Sequence, residues 1–299
     1  MTESHFSISR RTTALCATAL GLVCALVFSS AALAHNPKGA FAPFKYCPLG
    51  NSTVEECIVA NTTSGEFTVG KKNVPITNTI TLQGGTHENE ETGALNFIGA
   101  EGAETLSKTS QNVPGGLSGL VNCKEISNWF ERFACELVFE NGLTGVSATT
   151  ELAAPASSIG ININNLASES GTALSLPVKV RLENPLLGSE CYVGSNAKPI
   201  VLNLTTGKTS PPEPNKPISG KGGTLNILEG GSLIEITGNS LVNNSFAAPE
   251  AEGCGGIFSG LIDPIINSTM GLPAAAGHNT AILNGTLKQA GAGSVKASE

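Results

Sequence analysis

The stretch TALSLPVKVRLENPLLGSECYVGS, Thr172–Ser195, combines the two features that decide the fold. Its first half is typical of a β-strand, which we expect to end at Asn184-Pro185. Its second half carries Cys191 between two glycines, with no other cysteine for more than fifty residues on either side. A cysteine so isolated in the sequence needs a distant partner if it is to form a disulfide.

The other cysteines supply the candidate partners. Two of them, Cys16 and Cys24, lie in an N-terminal segment that we expect to be removed. The six that remain are Cys47, Cys57, Cys123, Cys135, Cys191 and Cys254. An even number in an exported chain predicts three disulfides, and the short spacings favour Cys47–Cys57 and Cys123–Cys135. Cys191 is then left to pair with Cys254. A zinc site would need cysteines about two to four residues apart, and the sequence has no such pair.

The N-terminal segment has the features of a secretory signal peptide. Arg10 and Arg11 precede an uncharged apolar run from Ala14 to Phe28, and Ala32-Leu33-Ala34 supplies the small residues of a cleavage site. We therefore predict a signal peptide over residues 1–34 and secretion of the rest. The alternative, a retained membrane anchor, is disfavoured because the run is short and poor in large apolar residues, so no transmembrane anchor is expected after cleavage.

The charge of the remaining chain argues against nucleic acid as a partner. Without residues 1–34, 15 basic and 23 acidic side chains remain, a net charge of −8, and the only arginines are Arg132 and Arg181. A phosphate-binding face needs clustered positive charge, which this excess of acid does not provide.

The remaining pattern predicts a mainly β fold, a disulfide-stapled sandwich or barrel-like domain with one or two short helices; an α+β fold is the alternative. Alternation in VPITNTITL directs Val74, Ile76, Ile80 and Leu82 inward. Further segments typical of strands are GEFTVG, SATTEL after a hairpin at Asn141-Gly142, KPIVLNLTTG, the pair in GTLNILEGGSLIEITGNSL, and AILNGTLKQ. We expect one domain over residues 35–290, with a possible sub-boundary near residue 151, and a flexible tail over 291–299.

Three segments carry helical signals. Thr53–Glu56 fits a capping box before a helical turn, although the following Ile58-Val59 equally suits a strand. KEISNWFERFA places Ile126, Trp129, Phe130 and Phe133 at helical spacing, which favours a short core-facing helix. The apolar residues from Ile257 to Met270 also recur at helical spacing, and Pro264 predicts that this helix is kinked or in two parts.

No catalytic motif is complete. Gly65–Lys71 has the glycine and lysine spacing of a phosphate-binding loop, but Lys72 replaces the metal-binding hydroxyl and a strand pattern follows, so we interpret it as a hairpin turn. A hydrolytic triad would have to use Asp263 or a glutamate with His87 or His278, and no nucleophile elbow is present.

Metal and sugar chemistry are only weakly indicated. Glu88, Glu90 and Glu91 could bind calcium, but they lack a calcium-loop signature, so no metal or cofactor is predicted. A glycosidase needs two suitably spaced carboxylates, which glutamates could supply, but the sequence cannot pair them.

Four segments resemble a family of secreted actinobacterial proteins with no assigned activity: FAPFKYCPL, TTSGEFTVG, LPVKVRLENPLLGSECYVGS and GLPAAAGHNTAILNG. The resemblance spans residues 41 to about 287. It implies export and a single extended domain, and it assigns no site residue.

Together these features predict a secreted or cell-surface protein without enzymatic activity, with a binding or structural role. The expected partners are a cell-envelope polysaccharide or another surface protein. The alternative is a secreted hydrolase, above all a glutamate-dependent glycosidase. An envelope pore would be a third possibility, and it would require an oligomer with an exposed apolar band.

Overall fold

The computed structural model describes residues 35–88, 95–116 and 145–299, together with 123–125, 127–129, 132, 133 and 136. Ala32 to Glu299 forms one compact unit. A strand runs through position 151, where the sequence leaves a sub-boundary open. The signal-peptide prediction for residues 1–34 and the predicted hairpin turn at 141–142 lie outside the described residues.

The protein is mainly β. The strands are β1 (Glu56–Val69), β2 (Lys72–Ile76), β3 (Ile80–Glu88), β4 (Leu95–Gly99), β5 (Ser110–Asn112), β6 (Ser147–Leu152), β7 (Gly160–Ile161), β8 (Leu174–Glu183), β9 (Tyr192–Val193), β10 (Ile200–Leu204), β11 (Thr224–Leu228), β12 (Leu233–Asn243), β13 (Ala251–Glu252) and β14 (Thr280–Gly291). The α-helices whose full extent lies within the described residues are α1 (Ile163–Ser168), α2 (Ser259–Met270) and α3 (Ala292–Ala297). Short 3₁₀ turns cover Gly39–Phe44, Cys123–Glu125, Ala156–Ser158, Glu229–Gly231 and Gly256–Phe258.

These strands form one antiparallel sheet that curls on itself without closing. Its main path runs β11-β12-β14-β1-β3-β4-β7-β8-β6-β5, while β2 pairs with β1, and β9 and β10 pair with β8. Just after β10, Thr205 and Val242 exchange two backbone hydrogen bonds, of 3.0 and 2.8 Å. This bridge brings the end of β10 against β12, so the two halves of the sheet face each other across the interior.

The main core lies between these facing walls. Strand β8 shows how the sequence builds it, because its residues alternate strictly between buried and half-buried positions. Leu174, Leu176 and Val178 are among those that point into the core. A strand directs successive side chains to opposite faces, so the alternation of TALSLPVKVRL places every second residue inside.

A smaller second core lies on the outer side of β1, β12 and β14. Its buried members are Phe44, Cys47, Val54, Cys57, Val59, Leu233, Ala290 and Val295. The predicted Cys47–Cys57 disulfide is present here and joins the segment before β1 to that strand. Where Thr53–Glu56 allowed either a helical turn or a strand, the structure has β1 beginning at Glu56.

The predicted Cys191–Cys254 disulfide is also present, with a Cα–Cα distance of 4.1 Å. It joins the segment after β8 to the loop just before the 3₁₀ turn Gly256–Phe258. Cys123 is disulfide-bonded as well, and its predicted partner Cys135 lies outside the described residues. The helical segment after Cys254 is in two parts, as predicted, but the division falls between Phe258 and Ser259 and not at Pro264.

The structure differs from the sequence predictions in two further places. Trp129 is 73% exposed and Phe133 is 56% exposed, so the prediction that these aromatic residues face the core is wrong. Residues 292–297 form helix α3 where the sequence predicts a flexible tail, and Val295 is fully buried. The reason in both cases is tertiary: the spacing of apolar residues does not specify which surface, if any, will cover them.

Candidate functional site

The two faces of β8 border two different sites. The residues that alternate inward line an interior cavity, and two outward residues near its end, Arg181 and Glu183, line an open polar cleft. The strand therefore separates an apolar compartment from a polar one, because side chains of opposite parity reach opposite faces.

The interior cavity is apolar and has a volume of about 130 Å³. Side chains from both halves of the curled sheet line it, including Ala60, Phe67, Leu82, Leu176, Val178 and Leu241. Leu166 of α1 and Met270 of α2 also contribute to its lining. The inward residues predicted from VPITNTITL, Val74, Ile76, Ile80 and Leu82, all line this cavity.

Two β-bulges shape one wall of the cavity. Strand β1 is irregular between Thr62 and Ser64, and β12 is irregular between Thr237 and Asn239. Both irregularities lie beside Gly285 of the intervening strand β14. A Cβ atom on Gly285 would lie 1.8 Å from the carbonyl oxygen of Asn61, so only glycine allows the strands to approach this closely.

The bulges decide which residues face the cavity. Ile58, Ala60 and Thr62 line it before the bulge of β1, and Phe67 and Val69 line it afterwards. An inserted residue shifts the alternation by one position, so the inward set changes from even to odd numbers. The inner face of this long strand stays apolar along both segments for that reason.

Some polar side chains also reach the cavity. Gln111 is fully engaged, since its Oε1 accepts hydrogen bonds from the backbone N–H groups of Thr77 and Asn78, both at 2.9 Å, and its Nε2 donates to the carbonyl of Asn78 at 2.8 Å. Asn239, which is 5% exposed, also lines the cavity.

Lys72 is the one charged side chain among the described residues that line the cavity. It is also half-buried, which places it between the apolar interior and solvent. Burial lowers the pKa of the Lys72 ammonium group, and the positive charge of Lys71 lowers it further. Both effects disfavour the charged form, and an anion placed beside the amine would oppose them.

The polar cleft on the outer face of β8 has a volume of about 810 Å³ and is open to solvent. The Glu183 carboxylate at its wall accepts hydrogen bonds from the hydroxyls of Ser110 at 2.9 Å, Thr149 at 3.0 Å and Ser147 at 3.3 Å. Burial by itself would raise the pKa of Glu183. The hydroxyl donors and the charge of Arg181, 3.4 Å away, outweigh it, so the pKa lies below its ordinary value.

That direction bears on the glycosidase alternative. A general acid must hold its proton near neutral pH, which requires a raised pKa. Glu183 has the opposite shift, and its carboxylate is already occupied by neighbouring hydroxyls. The arrangement is suited to joining β5, β6 and β8 rather than to proton transfer.

Asp263, the one aspartate considered for a hydrolytic triad, has a structural role. Its carboxylate accepts hydrogen bonds from the backbone N–H groups of Gly253 at 3.1 Å and Cys254 at 2.7 Å. It thereby holds the loop that carries the long-range disulfide. His87 is half-buried and His278 is exposed. Of the glutamates considered for calcium, Glu90 and Glu91 lie outside the described residues.

The Gly65–Lys71 segment forms the end of β1 and the turn into β2, which confirms its interpretation as a hairpin turn. Sequence reasoning did not identify Lys72 as a cavity residue, because its neighbours in space come from distant strands. The bulge at Gly238 had a local signal, since an isolated glycine within a strand pattern is typical of a bulge.

The chain matches no protein-family model, no curated protein and no solved structure. Within the described part of the chain, no three His, Cys, Asp or Glu side chains are grouped as they would be around a metal ion. The same residues include no helix with the length and apolarity needed to cross a bilayer. Function therefore has to be argued from the cavity and the cleft.

Proposed function

We propose that this protein is a secreted or cell-surface binding protein without enzymatic activity, which takes a small apolar ligand into its interior cavity. The observation that carries the proposal is the cavity itself, an apolar space of about 130 Å³ enclosed by both halves of the sheet. Protein interiors are normally packed as densely as organic crystals, so a space of this size is unusual.

The expected ligand size follows from the volume. An apolar cavity of about 150 Å³ stays dry and binds benzene-sized molecules. Side chains around an empty space lose dispersion contacts, and a ligand that fills the space restores them. Each buried methylene contributes about 0.8 kcal/mol, so affinity should rise roughly fourfold per added CH₂ until the cavity is full.

Secretion is supported by the cysteines and by the N-terminal sequence. The disulfides Cys47–Cys57 and Cys191–Cys254 are of the kind that persists in oxidising, extracellular compartments. The apolar run and small residues before position 35 are typical of a signal peptide. Association with a cell-envelope polysaccharide or another surface protein remains part of the proposal, and the acidic net charge disfavours nucleic acid.

The test is ligand binding followed at methyl groups. The oxidised chain from His35 onward, labelled at Ile, Leu and Val methyls, is titrated with toluene and with straight-chain alcohols from butanol to octanol. NMR spectra should show chemical-shift changes at the methyl groups of Leu82, Leu176 and Leu241, which line the cavity on different strands. Affinity should increase with alcohol length and then level off.

A filled cavity provides the control. Ala60 lines the cavity, so Ala60→Phe should occupy it and abolish toluene binding. Ala197→Phe makes the same change at an exposed loop position and should bind toluene like the parent protein. If toluene leaves the three leucine methyls unshifted, or if the folded Ala60→Phe variant binds as well as the parent, the cavity is not a ligand site.

A further inference from the structure

We infer that the protein associates with a second copy of itself through the free edge of strand β11, which pairs antiparallel with the same strand of the other copy. This interaction goes beyond the proposed function and does not depend on what the cavity binds. It is carried by the unpaired backbone of β11, by its exposed apolar side chains, and by the match between the strand and its own reverse.

Strand β11 lies at one end of the sheet path. Within the described part of the chain it pairs only with β12, in a register that places Leu225 opposite Ile236 and Ile227 opposite Ile234. One side of its backbone is therefore occupied, and the other side has no strand beside it. Such an edge presents N–H and C=O groups to which a further strand can bind.

The hydrogen bonds at the two ends of this strand pair show which backbone groups are free. At one end, Lys221 and Ser240 exchange two backbone hydrogen bonds, both of 2.9 Å. At the other end, the N–H of Ser232 donates to the carbonyl of Glu229 at 3.3 Å. Bonded positions alternate along an antiparallel pair, so the odd-numbered residues of β11 bond to β12. The even-numbered residues direct their N–H and C=O groups to the free edge: Thr224, Asn226 and Leu228.

Gly222 supports this direction and marks where the free edge begins. As an even-numbered residue it should direct its N–H away from β12, and that N–H donates to Oε1 of Glu169 at 2.7 Å. Glu169 is the C-cap residue of α1. Its carboxylate covers the edge at Gly222, so among the described residues the uncovered edge begins at Thr224.

The inner face of the sheet continues onto β11 and becomes exposed there. Ile236 on β12 is 4% exposed and packs in the core with Leu166 of α1. Its neighbour Leu225 is 58% exposed, and Ile227 is 67% exposed. Opposed residues of an antiparallel pair share a face, so the row of inward apolar side chains leaves the core at β11. A further strand at this edge would cover both apolar side chains.

A second copy of the chain fits this edge in the register that pairs the whole strand with itself. When Asn226 lies opposite Asn226 of the other copy, Thr224 lies opposite the other copy's Leu228. Outward residues then meet outward residues, and each such pair can exchange two backbone hydrogen bonds. The same register places Leu225 opposite the other copy's Ile227. Both ends of the contact are equivalent, as a two-fold axis requires.

The distribution of charge favours contact between copies at this edge. The chain has a net charge of −7, which opposes self-association over the surface as a whole, but no residue from 222 to 228 is charged. Glu235 on the neighbouring strand is paired with Lys288 at 3.1 Å. Beyond the strand ends, this register makes Lys221 a diagonal neighbour of the other copy's Glu229, so opposite charges approach each other.

The contact is short, which sets its expected strength. A standard stable interface has about 20–30 residues on each side. Strand β11 contributes five residues, Thr224–Leu228. We therefore expect a weak and reversible dimer that forms at high protein concentration.

The first experiment measures association and locates it. Sedimentation velocity of the oxidised chain from His35 onward, from low micromolar to millimolar concentration, should show a shift from monomer to dimer. No larger species should form, because a two-fold contact closes on itself. Amide hydrogen exchange should slow with concentration at Thr224, Asn226 and Leu228. It should change little at Leu225 and Ile227, whose N–H groups already bond to β12.

Substitutions at the edge test the register. Ile227→Lys should weaken the dimer about tenfold or more, because lysine on an edge strand opposes pairing and the apolar contact is lost. Val201→Lys introduces the same charge at a residue of β10 that is 43% exposed, and it should leave the dimer unchanged.

A mixture of two variants sharpens this test. Leu225→Glu by itself should also weaken the dimer. Mixed with Ile227→Lys it should restore association, because in the proposed register the new lysine lies opposite the new glutamate. The remaining Leu225 and Ile227 then lie opposite each other across the same contact.

The possible results separate this inference from the proposed function. A protein that stays monomeric at millimolar concentration would overturn the inference, as would a dimer that Ile227→Lys leaves intact or that Val201→Lys weakens equally. Assemblies that grow beyond a dimer would also overturn it, since they would indicate open-ended aggregation. Ile227 is not among the described residues that line the cavity, so monomeric Ile227→Lys should still bind toluene.

Discussion

The two faces of β8 differ in whether the contacts of their side chains are already satisfied within the protein. Inside, Leu176 and Val178 border an apolar space that no atoms of the described residues fill. Outside, the Glu183 carboxylate is surrounded by the hydroxyls of Ser110 and Thr149 and by the Arg181 guanidinium. The backbone is the same, and only the parity of the side chains distinguishes the two faces.

This difference shows that a concentration of polar groups is not by itself evidence of a site. The outward groups resemble an active site in composition, but the Glu183 carboxylate is satisfied within the protein and its pKa is shifted away from acid catalysis. The inward residues carry no reactive group, but their missing contacts leave energy for a ligand to recover. The proposed binding function therefore falls on the face where contacts are incomplete.

The largest expected effect would disturb both faces together. The Cys191–Cys254 disulfide lies beyond the end of β8, where the N–H of Leu182 donates to the carbonyl of Cys191 at 2.9 Å. Replacing both cysteines by serine should lower the free energy of unfolding by about 4 kcal/mol, because the denatured chain regains the entropy of a 63-residue loop. Urea denaturation measures this loss.

The matched control is the Cys47→Ser, Cys57→Ser double variant, which opens a loop of only 10 residues and should lose roughly 3 kcal/mol. A larger loss there than at Cys191 and Cys254 would mean that β8 is not anchored by the long-range disulfide. Non-reducing peptide mapping of the parent protein should also recover Cys191 joined to Cys254.

The next effect separates the two faces at neighbouring residues. Leu176→Ala removes a buried side chain and should cost about 2 kcal/mol, at the low end for a core leucine because the residue already borders a cavity. Ser175→Ala removes a half-buried outward hydroxyl that donates to Asn203 Oδ1 at 2.9 Å, and it should cost about 0.5 kcal/mol or less.

Urea denaturation measures the free energy of unfolding of both variants and of the parent protein. The dependence of this free energy on urea concentration should be the same in all three. Toluene binding should be altered in Leu176→Ala, which enlarges the cavity, and preserved in Ser175→Ala. Equal losses of stability would show that parity does not divide the strand into a core face and a solvent face.

The smallest effect concerns the outer face alone and appears as pH dependence. The folded-state pKa of Glu183 is below its ordinary value of 4.5, so folding favours the ionised carboxylate. The stability that it contributes is present above pH 4.5 and is lost as the pH falls through that value towards the folded-state pKa. Glu183→Gln should therefore be less stable than the parent protein at neutral pH.

The difference in free energy of unfolding between Glu183→Gln and the parent protein should become smaller in acid. Urea denaturation at about pH 7 and about pH 3 measures this change. Glu229→Gln, at an exposed turn between β11 and β12, serves as the matched control and should change stability little at either pH. A loss of stability in Glu183→Gln that stays constant with pH would mean that the three hydroxyls do not stabilise the ionised form of the carboxylate. Toluene binding should be unaffected by either substitution.

Much of the fold was predictable because its signals are local. The strand at 174–183, the pair meeting at Gly230-Gly231 and the hairpin turn at Gly70 all follow from alternation and turn residues. Local patterns failed where the decision was tertiary. Trp129 belongs to a set of apolar residues at helical spacing in the sequence, but it is exposed. Val295 lies in a short polar segment, but it is buried.

The sequence by itself determined the β class, the inward residues of VPITNTITL and the pairing of Cys191 with Cys254, because alternation, turn residues and cysteine spacing act within short segments or by simple elimination. Only the tertiary structure decided that β8 lies across the interior from β1 and β12, that two bulges flank Gly285, and that Lys72 borders an apolar cavity. The physical reason is that a cavity belongs to no single segment: it is the space left when walls distant in sequence pack around a shared interior.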